Sequence, residues 1–207
     1  LMSEMNNGDN SYSAYDLGGR SRGPAHSTSS FRQAWRRTAL VLRGGALARI
    51  NARLRRLRLP HVRTGADELE RPPVAMMWVP LTFGNPEIAR NHPRFWWPGG
   101  GYVDWVGSTW YSKHKTESAF DRFYANRLWR GKPFALAEYG VWGRDEGAFV
   151  RQVFSWARRR SRVRMLCYYQ AALLKPEFRL SSHPQARSAL RRALRSRRYA
   201  QYAPEYR

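Results

Sequence analysis

The stretch Lys132-Pro133-Phe134-Ala135-Leu136-Ala137-Glu138-Tyr139-Gly140 constrains the fold more than any other. It is an apolar run, opened by Pro133 and closed by a carboxylate and a glycine, which is the pattern of a buried strand. A loop and then a helical pattern follow it. Parallel α/β barrels place their working side chains at the C-terminal ends of such strands. A second acid, Glu4, stands in a comparable setting within Met2-Ser3-Glu4-Met5-Asn6-Asn7.

The rest of the chain alternates in the same way. Residues 1–5 read as the end of a strand, and 7–29, rich in Gly, Ser, Asn and Tyr, as a long loop. Ser30-Phe31-Arg32-Gln33 has the form of a capping box, opening a helix with the inward stripe Phe31, Ala34, Trp35, Thr38 and Leu42. Gly44-Gly45 stops it, and a basic, leucine-spaced helical segment over 46–58 precedes Pro60. Residues 64–73 read as a polar turn region. Short strands are predicted at 74–79 and 103–107. A helix then follows, capped by Thr116, with Phe120, Phe123, Tyr124 and Leu128 on one face. After the Glu138 strand, Asp145 suits the cap of a helix carrying Phe149, Val150, Val153, Phe154 and Ala157. Residues 163–169 form a further strand. Pro184 suits the first turn of a last helix aligned on Ala186, Leu190 and Leu194. A basic, aromatic tail over 196–207, expected to be loosely held, follows one domain spanning 1–195.

Strands at 1–5, 74–79, 103–107, 134–138 and 163–169 with helices between them predict an α/β fold with a parallel sheet. Five such strands match about strands 4 to 8 of a TIM (β/α)8 barrel, so a partial barrel is expected. A doubly wound sheet is the competitor, but no Gly-rich phosphate loop follows any strand. In a partial barrel the 163–169 strand and the Glu4 strand both carry open edges. With a candidate site motif so close to Leu1, further strands are expected upstream.

Charge needs its own explanation. A net charge of +22, from 37 Lys and Arg against 15 Asp and Glu, normally points to nucleic acid or an anionic membrane. Lysine, however, stands only at Lys113, Lys115, Lys132 and Lys175, so nearly all the charge is arginine. The arginines fall largely on helical stretches, at positions that can face solvent. A solvated surface accounts for them, so no nucleic acid and no membrane is expected as partner. A basic nucleic-acid-binding protein is the least favoured alternative. Cys167 is alone, and His26, His61, His92, His114 and His183 are scattered without ligand spacing, so no disulfide framework, metal or cofactor is expected. No signal segment and no membrane-length apolar run is present in the sequence.

Four segments, in order, carry a resemblance: Ser3-Glu4-Met5-Asn6; Phe31-Arg32-Gln33-Ala34-Trp35-Arg36-Arg37; Trp97-Pro98-Gly99 with Tyr102-Val103-Asp104-Trp105-Val106-Gly107; and Pro133-Phe134-Ala135-Leu136-Ala137-Glu138. In these the chain resembles the C-terminal part of the catalytic barrel of glycoside hydrolase family 26, the β-mannanase-like enzymes. Two features depart from that family. The first three barrel strands are absent, and Ser3 stands where a His usually precedes the acid/base Glu.

The resemblance implies a retaining hydrolase of a β-linked, mannan-like polysaccharide, with Glu4 as acid/base and Glu138 as nucleophile. It also implies a polysaccharide or oligosaccharide partner and a secreted or cell-surface location for the full-length form. Retaining cleavage needs the two carboxyl groups about 5–5.5 Å apart. Tyr111, beyond a strand end, is placed to hydrogen-bond the nucleophile, and Asn6 to hold a substrate hydroxyl. Trp78, Trp97, Trp110, Trp142 and Tyr169 lie in or near strand ends or loops. Their rings suit the apolar faces of sugars, although core packing claims several tryptophans in any such set. Asp104, inside an apolar strand, is either paired structurally or a substrate contact. The departures favour, as the alternative function, a truncated, non-catalytic sugar-binding remnant.

Overall fold

A computed structural model describes residues 28–83, 89, 92–113, 117–171 and 178–200. Glu4, Asn6 and Thr116 lie outside the described residues. The chain divides into two compact units, Leu1–Ser108 with Ser118–Pro133, and Thr109–Glu117 with Phe134–Arg207.

The first unit opens with helix α1 (Thr28–Leu42). The helix is already formed at Thr28, so Ser30-Phe31-Arg32-Gln33 lies inside it rather than opening it. Its working stripe follows the i, i+4, i+8 spacing of Phe31, Trp35 and Ala39, with Leu40 beside them, while Thr38 and Leu42 face solvent. The Trp35 indole donates to the Tyr102 carbonyl at 2.9 Å, and the Phe31 ring meets Trp96 at 5.6 Å. Gly44 ends this region at φ +58, where an added Cβ would lie 1.9 Å from the Glu70 carbonyl oxygen. Gly45–Ala46 (β1) then pairs antiparallel with Glu68–Leu69 (β2), a short ladder inside the stretch expected to be turn alone. Helix α2 (Leu47–Arg56) buries Ile50 and Leu54 against Leu40 and Leu59. Each such side chain contributes roughly 1.5–3 kcal/mol of burial.

Strand β3 (Met77–Trp78) is shorter than the predicted 74–79, and Val74 is exposed. It pairs parallel with the start of β4 (Trp105–Tyr111), Met77 opposite Trp105 and Trp78 opposite Val106. Asp104 fixes this register. Its Oδ1 pairs with Arg43 Nη2 at 2.8 Å and its Oδ2 accepts from the Met76 amide at 2.9 Å, so its role is structural. Helix α3 (Glu117–Ala125) buries Ala119, Phe120 and Phe123. Leu128, expected on the same face, lies beyond the helix and is exposed.

In the second unit, β5 (Phe134–Gly140) runs parallel to β6 (Val163–Tyr168), with Phe134 opposite Val163 and Leu136 opposite Leu166. Four strands, in the order β3-β4-β5-β6, form a parallel sheet flanked by helices. β6 ends that order, and no described strand pairs its outer edge. Helix α4 (Gly147–Arg158) buries the expected stripe Phe149, Val150, Val153, Phe154 and Ala157, and Trp156 as well. The Asp145 carboxylate does not cap α4. It accepts from the Gln185 and Ala186 amides, at 2.7 and 2.9 Å, at the start of helix α5 (Pro184–Leu194). That last helix buries Ala186 and Ala189, and Leu194 is exposed, so its inner face differs from the expected Ala186, Leu190 and Leu194. The tail is held as far as Tyr199. Arg198 donates to the Arg158 carbonyl at 3.0 Å, and the Tyr199 ring meets Phe154 at 5.1 Å. No helix among the described residues is long and apolar enough to cross a membrane.

Candidate active site

Glu138 sits two residues before the C-terminal end of β5. The strand forms because an apolar run is sandwiched between neighbours: Phe134, Ala135 and Leu136 are all fully buried. Burial falls off at Ala137 and Glu138, both of intermediate exposure. Desolvation pushes the Glu138 carboxyl above its ordinary range. No hydrogen bond or ion pair joins Glu138 to another described residue.

The strand end is walled by aromatic rings of the second unit. Tyr111 meets Trp142 edge-on at 5.2 Å and Phe178 at 5.3 Å. Phe178 meets Trp142 at 5.2 Å and Tyr169 at 5.1 Å. These spacings and the mostly perpendicular ring planes are those of favourable aromatic contacts. Three backbone details hold the group. Ser112, itself buried, donates its amide to the Gly140 carbonyl at 3.1 Å, and its hydroxyl oxygen accepts from the Trp142 amide at 2.8 Å. The Tyr169 amide donates to the Tyr139 carbonyl at 2.8 Å. Lys113 Nζ lies 5.3 Å from the centre of the Trp142 ring, a cation–π contact.

The tryptophans and tyrosines expected to bind substrate therefore separate into two classes. Tyr111, Trp142 and Tyr169 come together in one half-buried group. Trp110 is 1% exposed and packs edge-on against Phe149 and Trp156, leaving no ring face open. Trp78, at 0% exposure, and Trp97 are core residues of the first unit, packed with Phe123 and Trp129. No hydrogen bond joins Tyr111 to Glu138, so that expected contact is not made among the described residues. Glu4 and Asn6 lie outside them. Sequence reasoning missed Phe178 and Ser112. Phe178 carries no periodic signal, and a Ser directly after a strand looks like any turn residue.

Chemically, the arrangement offers a partly desolvated carboxyl near the end of a strand whose last residue, Gly140, meets the Tyr111 and Phe178 rings, with Lys113 over the Trp142 ring. No cluster of His, Cys, Asp or Glu among the described residues is built to hold a metal. No protein-family model matches the chain, and no curated protein matches it.

Proposed function

We propose that this chain belongs to a retaining glycoside hydrolase acting on a β-linked, mannan-like polysaccharide, and that its sheet is part of a TIM barrel. Glu138 attacks the anomeric carbon while the bond to the leaving oxygen breaks, and Glu4 donates a proton to that oxygen. Water, giving its proton back to Glu4, then hydrolyses the glycosyl ester on Glu138 and restores both acids. Tyr111, Trp142 and Tyr169 offer ring surface for the sugar. The observation that carries this reading is Glu138 itself: a carboxyl near the end of a parallel strand, partly desolvated, with no cationic partner among the described residues, on a strand that ends against an aromatic group.

The test is release of reducing ends from β-mannan by the chain, with the anomer of the first product read by NMR. A β product that is lost in Glu138→Gln supports the proposal. An α product, or equal rates for the two proteins, contradicts it. The outer edge of β6, which no described strand pairs, favours a second reading, a sugar binder without hydrolysis. Saturable mannan binding with no reducing ends would establish it.

A further inference from the structure

Helices α4 and α5 of the second unit carry five arginines and no acid between them. Acids three or four residues away offset the cations of many helix surfaces, and neither helix supplies one. Between the two helices lies a cavity of about 340 Å³, within the range of small-ligand pockets. Its floor, Phe154 and Ala189, is closed: both are buried and present almost no surface. The open lining is polar. Arg151, Ser155 and Arg158 come from one face of α4, at i, i+4 and i+7, and Arg192 and Ser196 come from α5 and the turn after it. The three arginines and Ser196 are exposed, and Ser155 is half-buried.

Every one of these groups is left to donate. The Ser155 hydroxyl oxygen accepts from Arg159 Nη1 at 2.7 Å, and that of Ser196 accepts from the Arg198 amide at 3.4 Å, so each keeps its own proton for a further acceptor. Arg192 Nη1 donates to Ser188 at 3.1 Å, which leaves the other N–H groups of its guanidinium. Two neighbouring arginines are already engaged: Arg159 pairs with Glu117 at 2.7 Å, and Arg198 donates to the Arg158 and Ala157 carbonyls. No ion pair joins Arg151, Arg158 or Arg192 to an acid among the described residues, and no acid lines the cavity among them. Three guanidinium groups around one opening repel each other, and an oxyanion between them removes the repulsion and accepts their N–H groups in pairs. We infer that this groove binds a small phosphate anion of two or more negative charges, met by Arg151, Arg158 and Arg192 and by the hydroxyls of Ser155 and Ser196. The inference stands whether or not Glu138 is a nucleophile.

Calorimetric titration of the full chain with pyrophosphate, at constant ionic strength, tests this. Saturation at one site per chain is expected. Arg151→Gln and Arg192→Gln, both exposed changes that should leave folding intact, should each weaken binding about fivefold to tenfold. Arg191→Gln removes the same charge from α5 outside the cavity and should change binding by about twofold or less. No saturation, several equivalent sites per chain, or the same loss in all three variants would overturn the assignment, because each is the behaviour of diffuse surface charge. Binding of duplex DNA without saturation by pyrophosphate would overturn the small ligand in favour of a macromolecule.

Discussion

Gly140 ends β5 with its backbone directly against the ring of Tyr111: a Cβ at position 140 would lie 3.2 Å from Tyr111 Cε1 and 3.4 Å from the Phe178 ring. The aromatic group at the end of the Glu138 strand therefore depends on a residue with no side chain. Gly140→Ala should push Tyr111 aside. In mannan cleavage, the expected result is a rise in KM of about fivefold to tenfold with a loss of roughly 1 kcal/mol of stability, both within the range for small overpacking changes. Steady-state kinetics and denaturant unfolding check the two together.

The raised carboxyl of Glu138 makes a prediction with a definite sign. A carboxyl whose folded pKa lies above its unfolded value adds stability that is complete below about pH 4 and is lost as pH rises through the folded pKa. Replacing it with the neutral isostere removes that loss. Glu138→Gln should therefore melt at a higher temperature than the parent at pH 7 and at about the same temperature at pH 4. Thermal unfolding at the two pH values measures it. The same burial places the acid limb of activity above the ordinary carboxylate range, because the attacking group must be ionised.

The two classes of tryptophan should respond oppositely. Trp129→Ala removes a buried ring from the first unit, together with its contacts to Trp78, Trp97 and Phe123, and should cost about 3–5 kcal/mol. Trp142→Ala removes a half-buried ring, should cost about 1 kcal/mol or less, and should weaken sugar binding. Urea unfolding of both variants, alongside mannan-oligosaccharide titration, separates them.

Asp145 and Gln185 stand far apart in sequence, yet the Asp145 carboxylate caps α5. Asp145→Ala should cost roughly 0.5–2 kcal/mol, the range for a lost N-cap, through that helix rather than through α4. Hydrogen exchange of the amides at 185 and 186 should rise while that of α4 stays put.

Arg58 closes α2 in the left-handed region at φ +56, with the Leu59 amide bonded to the Leu54 carbonyl and the Arg58 amide to the Arg55 carbonyl. This is the position where a helix end favours glycine. Arg58→Gly should stabilise the chain by about 1 kcal/mol, read as a raised urea midpoint.

What could be read from the sequence was local. The Glu138 strand, the α4 stripe and the stop at Gly44 each rest on a few adjacent residues, and the structure places them where those residues require. What could not be read depended on the chain meeting itself. An Asp just before a helical pattern looks like that helix's cap, and only folding brings the Gln185 amide to Asp145. The inner face of α5 is made of alanines because α4 and α5 approach closely: a Cβ at Gly147 would lie 2.8 Å from the Gln185 carbonyl oxygen. Leucines at 190 and 194 satisfy the same period but not that spacing. A tryptophan near a strand end has the same signature whether it lines a cleft or fills a core. Composition therefore could not tell Trp78 from Trp142.

The most direct test is covalent capture. The full chain is incubated with a 2-deoxy-2-fluoro-β-mannosyl fluoride, which forms the glycosyl ester quickly and releases it slowly, and is then digested and mapped by mass spectrometry. The account predicts a single sugar on the peptide containing Glu138, absent in Glu138→Gln. A sugar on any other residue, or no sugar while mannan is still cleaved, would contradict it.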